Sequence, residues 1–210
     1  MPELHIMPLT LIDRRHAQTR AAIADAAVAL FTERGFAETT MEEVADAAGV
    51  SRRTAYRHFP SKDDLVFEQP RRWLLHFNEH VAQVVHGETQ RERCRRGLLA
   101  VGRLIQANAE SIAAAYRVMV ATPSLRGYNG RTEDEWFERY MTLFTPKRAV
   151  NHVRAVQIAT LAGALVGTTK ALVGVWAANL PSADMEAMTR AALDQLDPVW
   201  PAWLADARVS

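Results

Sequence analysis

The sequence predicts an all-α protein, an N-terminal three-helix domain with a helix-turn-helix followed by a larger helical domain. Apolar residues recur at three- and four-residue spacing over long segments. Proline and glycine gather at a few places between those segments, and no run of alternating Val, Ile and Thr occurs. Ile23, Ala27, Leu30 and Phe31 follow the i, i+4, i+7, i+8 pattern of a first helix, which Gly35 can end in the left-handed conformation. Thr39 and Thr40 each precede a glutamate by three residues, Glu42 and Glu43. This predicts two overlapping capping boxes and a second helix with Met41, Val44, Ala45 and Ala48 on one face. Gly49 ends it, Ser51 caps a third helix of about two turns, and Pro60 stops that one by disfavouring α geometry in the preceding residue.

Ser61 and Asp64 form a looser box for a long fourth helix reaching about residue 85, with Gly87 as its stop; Pro70, which lacks a backbone donor, should kink or split it. Further helices are expected over 90–108, 111–120, 133–144, 148–179 and 183–196, with Thr132 and Glu135 as the capping box of the third of these. The stretch 122–131, with Pro123, Gly127 and Gly130, is expected to be irregular. A domain boundary is expected between residues 1–66 and 67–210.

Composition sets outer limits. A chain of 210 residues fits one domain with an appendage or two small ones, and 49% hydrophobic with 23% charged residues suits a buried core rather than disorder. The net charge of +1 by itself neither suggests nor excludes a nucleic-acid partner. A single cysteine, Cys94, excludes a disulfide framework, a CxxC pair and a Cys-rich zinc site, and fits a reducing, cytoplasmic compartment. Residues 1–10 show no secretory pattern. The longest uncharged stretch, 155–169, is shorter than the ~20 residues that span a bilayer, so a buried helix and no membrane are expected. No nucleophile elbow, P-loop or dinucleotide fingerprint is present, so neither an enzyme nor a cofactor is expected.

Charge is sharply segregated along the chain. Residues 21–50 carry a net charge of −5, whereas residues 51–62 carry Arg52, Arg53, Arg57 and Lys62 and no acid, a net +4. Two short helices joined through Gly49, the second basic at its start, fit a helix-turn-helix whose second helix enters the major groove of DNA. At about 100° per residue Arg53, Tyr56 and Arg57 share one face while Ala55 and Phe59 point the other way. Arginine can grip guanine O6 and N7 with two hydrogen bonds, and threonine offers a hydroxyl to bases or phosphates and a methyl to thymine. Arg52, Arg53 and Thr54 are therefore the base-reading candidates, and Tyr56, His58 and Lys62 the phosphate contacts. The helix starts at Thr40 and Lys62 add free N–H groups for phosphate oxygens.

The run from Thr39 to Leu65, TTMEEVADAAGVSRRTAYRHFPSKDDL, together with Glu33-Arg34-Gly35-Phe36, closely resembles the DNA-binding signature of the TetR family of bacterial transcriptional regulators. The match covers about residues 15–66. The resemblance implies a homodimer in which a three-helix DNA-reading domain is tied by a fourth helix to an all-helical effector-binding domain, and a repressor that leaves a palindromic operator when a small, largely apolar effector binds. By position it places Thr40 at the phosphate-contacting start of helix 2, Ser51 to Thr54 and Tyr56 in the recognition helix, His58 on the DNA backbone and Lys62 as an anchor of helix 4. Ala55 departs from the larger aliphatic residue usual there. The resemblance also implies dimerisation through the last two long helices, here 148–196. A strip of Ala159, Gly163, Gly167, Ala171, Gly174 and Ala178 suits close helix approach there, as it would suit a core helix within one chain.

Within the second domain, Trp73, His76, Phe77 and His80 form one helix stripe, Tyr116 pairs with Met119, and Trp136 pairs with Tyr140; these aromatics with a few polar tips are the effector-contact candidates. The tail with Trp200, Pro201 and Trp203 is expected to cover one end of the dimerising helices. His76, Glu79 and His80 also match H-x-x-E-H, which offers a zinc-dependent hydrolase or, with His86, a metal-sensing regulator as the alternative reading. Cys94 lies among Arg91, Arg93, Arg95 and Arg96, whose charge would favour a thiolate and leaves redox sensing open.

Overall fold

Side chains that satisfy the orphan N–H groups of a helix start fix most of the boundaries here. The computed structural model describes residues 11–146 and 149–207, apart from the side chains of 11–14 and 126–129. The described residues are helical, without strands, and the chain divides into two compact units, one ending at Glu68 and one beginning at Gln69.

The first unit holds α1 (Leu11–Arg34), α2 (Met41–Ala47), α3 (Arg52–His58) and α4 (Lys62–Val66). Gly35, at φ +91°, ends α1, and its N–H donates to Phe31 O at 3.0 Å. Of the two overlapping capping boxes only that of Thr40 forms: its hydroxyl accepts from the Glu43 N–H at 3.2 Å, and the Glu43 carboxylate accepts from the Thr40 N–H at 2.8 Å. Thr39 is buried instead and donates its hydroxyl proton to Gly35 O at 2.9 Å. One backbone position cannot present both neighbouring threonines to the same helix start. Ser51 caps α3 through the Thr54 N–H at 3.2 Å, and Ser61 with Asp64 forms the box of α4. Ile23, Ala27 and Phe31 of α1 are buried with Val44, Ala55, Phe59 and Leu65 as the core of this unit.

Arg20 holds the ends of this unit together. Its guanidinium forms a two-pronged ion pair with Glu68, whose side chain is 3% exposed, donates to His58 O at 2.5 Å, and lies 4.2 Å from the Phe59 ring centroid. The His58 ring is buried and meets His16 edge-on at 5.0 Å.

The second unit comprises α5 (Glu68–Ala82) from Gln69 onward, α6 (Gln90–Ala107), α7 (Ala109–Ala121), α8 (Arg126–Phe144), α9 (His152–Ala178), α10 (Met185–Leu196) and α11 (Ala202–Ala205). The expected long fourth helix is split at Phe67 rather than kinked, and Pro70 occupies the third position of α5, where its missing N–H has no intrahelical acceptor to lose. Thr89 and Glu92 cap α6 with a box that the sequence reading did not single out. The stretch expected to be irregular is a 3₁₀ turn, Pro123–Leu125, running directly into α8, so Thr132 and Glu135 lie inside a helix and not at its start. Arg148 lies outside the described residues, and Asn151 caps α9 by accepting from the Arg154 N–H at 2.9 Å.

α6 and α10 are joined along their length by Arg95 to Asp194 at 2.5 Å and to Asp197 at 3.4 Å, and by Arg103 to Glu186 at 3.3 Å. α9 is not the fully buried helix expected. By length and composition it could cross a membrane, yet only 28% of its most apolar window is buried; Ile158, Leu161, Leu165 and Trp176 face the core while Val153 and Val156 are exposed. In the tail, Trp200 packs on Phe144 at 5.2 Å, Leu204 is buried, and Ala207 O accepts from the Gln90 N–H at the start of α6.

Replacing Arg20 by Ala removes the two-pronged ion pair from the buried Glu68 carboxylate, and is expected to cost up to about 3–5 kcal/mol in urea unfolding of this unit. A loss below about 1 kcal/mol would contradict the role given to the pair. Burial, reinforced by His16, lowers the His58 pKa, so the unfolded chain takes up this proton more readily than the folded one. Stability is expected to fall as the pH is lowered through about 6.5, and His58→Asn to flatten that slope.

Candidate functional site

The basic surface of the first unit is built by a seven-residue helix with a sharp two-sided pattern. Ala55 and Phe59 are fully buried beneath it, and Arg52, Arg53, Tyr56 and Arg57 are exposed above it. The small Ala55 side chain is accommodated with no exposure. The Arg52 Nε is 2.7 Å from Glu42 Oε1, both side chains exposed, and its guanidinium carbon is 5.5 Å from the Tyr56 ring centroid. Such an exposed pair is worth about 0–1 kcal/mol and yields readily to a stronger acceptor. The Ser51 and Thr54 hydroxyls share a hydrogen bond of 2.9 Å at the start of the helix. These groups offer paired guanidinium donors, hydroxyls and an aromatic edge on a rod narrow enough for a major groove.

Three of the expected DNA contacts take other positions. His58 is 6% exposed, on the inner side of α3 against His16, and its burial removes it from the basic face as a phosphate contact. The Lys62 ammonium donates to the carbonyls of Phe36, Ala37 and Thr39 at 2.5, 3.1 and 2.9 Å and lies 4.5 Å from the Phe36 ring centroid. All three of its protons have acceptors, so it ties α4 to the loop after α1 instead of reaching a phosphate. Thr40 is exposed, but its N–H and hydroxyl are both closed on the Glu43 carboxylate, whose pKa the Thr40 backbone N–H lowers.

In the second unit the aromatic candidates form core, not an open pocket wall. Phe77 meets Trp136 at 5.3 Å and Tyr140 at 5.6 Å, and Tyr140 stacks on Phe144 at 5.9 Å. Trp73, Phe77, Trp136 and Tyr140 are all buried. Tyr116 and Met119 are half-buried on α7, with the Tyr116 hydroxyl against Gly174 of α9. His76 and His80 are half-buried with ring centroids 4.4 Å apart. None of these eight residues lines a cavity between α6, α9 and α10.

That cavity is small, about 30 Å³, room for about one water. Its wall is apolar except for hydroxyls, among them those of Thr169 and Thr189, and no charged residue lines it. Gly102 of α6 faces Thr189 so closely that a Cβ there would lie 2.8 Å from the threonine oxygen. The sequence signal was faint, since a threonine inside an apolar helix is also an ordinary core residue.

The H-x-x-E-H pattern finds no third ligand: among the described residues no group of three or more His, Cys, Asp or Glu could hold a metal ion. His80 Nδ1 is 2.9 Å from His76 O, one turn back along its own helix, and burial with His80 lowers the His76 pKa. Cys94 is fully buried, and that burial pushes its thiol pKa far up despite Arg95 and Arg139 nearby, so the charged surroundings do not produce a thiolate.

Residues 23–68 match the family model described as bacterial regulatory proteins, tetR family. A Mycobacterium tuberculosis transcriptional regulator named for mycofactocin biosynthesis, MftR, is 26% identical over 172 residues, 79% of this chain and 83% of that one. The transcriptional repressor KstR2 of Rhodococcus jostii is 44% identical over 55 residues, 26% of this chain and 27% of that one. Among solved structures, the TetR regulator TylP of Streptomyces fradiae has a TM-score of 0.62 at 22% identity over 93% of both chains. FadR of Bacillus subtilis with stearoyl-CoA gives 0.62 at 18% over 86% of this chain and 99% of that one, and the SmeT–triclosan complex 0.59 at 20% over 88% and 95%. At these identities the structures speak for the fold alone. The helix-turn-helix sequence, the two-sided recognition helix and the family match together make this chain a member of the TetR family, a DNA-binding regulator of transcription.

Proposed function

We propose that the protein is a homodimeric repressor whose paired α3 helices read a palindromic operator and whose hold on DNA is released by a small, largely apolar molecule. The observation that carries this reading is α3 itself, with Arg52, Arg53, Tyr56 and Arg57 displayed over a buried Ala55 and Phe59. Arg53 and Arg52 read bases with Thr54, Arg57 and Tyr56 hold phosphates, and Ser51 starts the helix against the DNA. Two copies would meet half-sites roughly one helical turn, about 34–36 Å, apart.

The dimer rests on α9. Val153, Val156, Thr160, Gly163, Gly167 and Ala171 form an exposed stripe along it, and a Cβ at Gly163 or Gly167 would meet nothing within 4 Å. A strip of small residues with no neighbour in its own chain suits the backbone of a second copy. Release follows from linkage: a molecule that prefers the form unable to span two half-sites depletes the DNA-bound form by its differential affinity. FadR with stearoyl-CoA and SmeT with triclosan support a ligand-responsive second domain on this fold.

Selection of bound sequences from a random DNA pool at about 150 mM salt, where non-specific attraction is largely screened, should enrich an inverted repeat; no enrichment from folded dimer contradicts the proposal. Arg53→Ala is expected to cost roughly 1–3 kcal/mol on that repeat and little on random DNA, and equal loss on both would exclude base reading. Lys62→Ala should lower unfolding stability by about 1–3 kcal/mol and leave the salt slope of DNA binding unchanged, because its ammonium serves carbonyls. Gly163→Glu should give folded monomers in sedimentation and lose operator binding; dimers that persist would place the interface elsewhere.

A further inference from the structure

We propose that Arg93 of α6 and Arg139 of α8, set side by side against α5, form a binding site for a phosphate group, either inorganic phosphate or the phosphate of a small organic molecule. The site goes beyond the repressor reading and does not depend on it. The first argument is geometric. Each guanidinium is anchored to α5 by its Nε alone: Arg93 donates to Val81 O at 2.5 Å, and Arg139 donates to the Asn78 side-chain oxygen. Asn78 and Val81 are three residues apart on one helix, so the two anchors lie about one turn, ~5 Å, from each other. The same two helices are fastened one turn away, where the Gln90 amide donates to Leu143 O at 2.9 Å. All three anchoring and guanidinium-bearing side chains, Asn78, Arg93 and Arg139, are half-buried, so the site is set into the surface and remains open to solvent.

The second argument is charge. Among the described residues neither arginine has a carboxylate within ion-pair distance, whereas Arg95, Arg96 and Arg103 of the same α6 each have one. Glu88, whose charge acts on Arg93, is already gripped at both oxygens by Arg96. Cys94 supplies no counter-charge to Arg139, because its burial pushes the thiol pKa far up. The two cations instead meet each other: burial, and after it the charge of Arg93, lower the Arg139 pKa. Two half-buried like charges held together without an acid are unfavourable until an anion joins them. The third argument is the donor set. With both Nε groups engaged, the Nη groups of each arginine and the Asn78 amide nitrogen are uncommitted among the described residues. Donors from α5, α6 and α8 outnumber what the two oxygens of a planar carboxylate take up, and a tetrahedral oxyanion offers oxygens to all three.

The test titrates the full-length protein with inorganic phosphate, phenyl phosphate and benzoate in calorimetry at low salt near pH 7.5. Expected are saturable binding of one phosphate per chain and at least fivefold weaker binding of benzoate. Tighter binding of phenyl phosphate would identify an organic phosphate as the ligand, and equal binding the free ion; either upholds the site. Arg93→Gln and Arg139→Gln should each weaken phosphate at least tenfold, and Arg103→Gln, elsewhere on α6, should leave it unchanged. Asn78→Asp places a carboxylate against Arg139 and should abolish phosphate binding with no loss of Tm, which keeps the test open should a glutamine variant fail to fold. No saturable phosphate binding, binding that survives Asn78→Asp or both glutamine substitutions, or equal loss in Arg103→Gln overturns the assignment. So does binding that is lost in Arg53→Ala and kept in Arg139→Gln, which would place the phosphate on the recognition helix.

Discussion

A carboxylate shut away from water constrains the whole first unit. Glu68 is the last residue of that unit and the first of α5, and its charge is compensated by Arg20 from α1, 48 residues earlier. The same guanidinium takes up the His58 carbonyl at the C-terminal end of α3 and covers the Phe59 ring. One cation therefore fixes the end of the recognition helix, the chain that leaves it and the last residue of the unit. A buried ion pair of this kind need not add much net stability, since both ions were desolvated to form it. What it supplies is geometry: any other placement of Glu68 gives up the Arg20 ion pair of a buried carboxylate. For a domain whose task is to hold four exposed side chains in register with base edges, that is the relevant property.

Features set by neighbours in sequence were legible, and those set by neighbours in space were not. Ser51, Ser61, Gly35 and Gly49 announced helix ends because capping and left-handed turns act within a few residues. The inward set of α3, Ala55 and Phe59, followed from helical periodicity alone. Thr39 and Thr40 looked alike because the local rule cannot tell which of two adjacent threonines faces the core. His58 and Lys62 were read from their charge, but their surroundings decided: His16 and the core for one, three carbonyls for the other. The aromatic stripes were correctly placed on single helix faces, but the difference between a pocket wall and a filled core is what the opposite helix brings. Trp136 and Tyr140 bring rings to Phe77. The cavity needs the mutual placement of α6, α9 and α10, which no local pattern records.

The second unit keeps its charges at its surface and its interior uncharged. Between α6 and α10 the ion pairs of Arg95 and Arg103 are partly or largely solvated, so each contributes little and can open at small cost. Inside lies an uncharged lining with a few hydroxyls.

α9 connects that cavity to the proposed dimer. At about 100° per residue, Leu165, Thr169 and Leu172 on the cavity side lie opposite Val156, Gly163 and Gly167 on the exposed side. The exposed face is where a second copy would pack. Glycines at Gly163 and Gly167 allow backbones to approach closely, and contacts at that range change steeply with displacement. A shift of α9 too small to disturb the aromatic core would still alter how two copies sit together. Half-site spacing on DNA depends on that relation, because a rigid pair of recognition helices tolerates little change in separation. The glycine strip is therefore more than a convenience for packing: on this reading, the closeness it permits makes the proposed dimer sensitive to small shifts of α9.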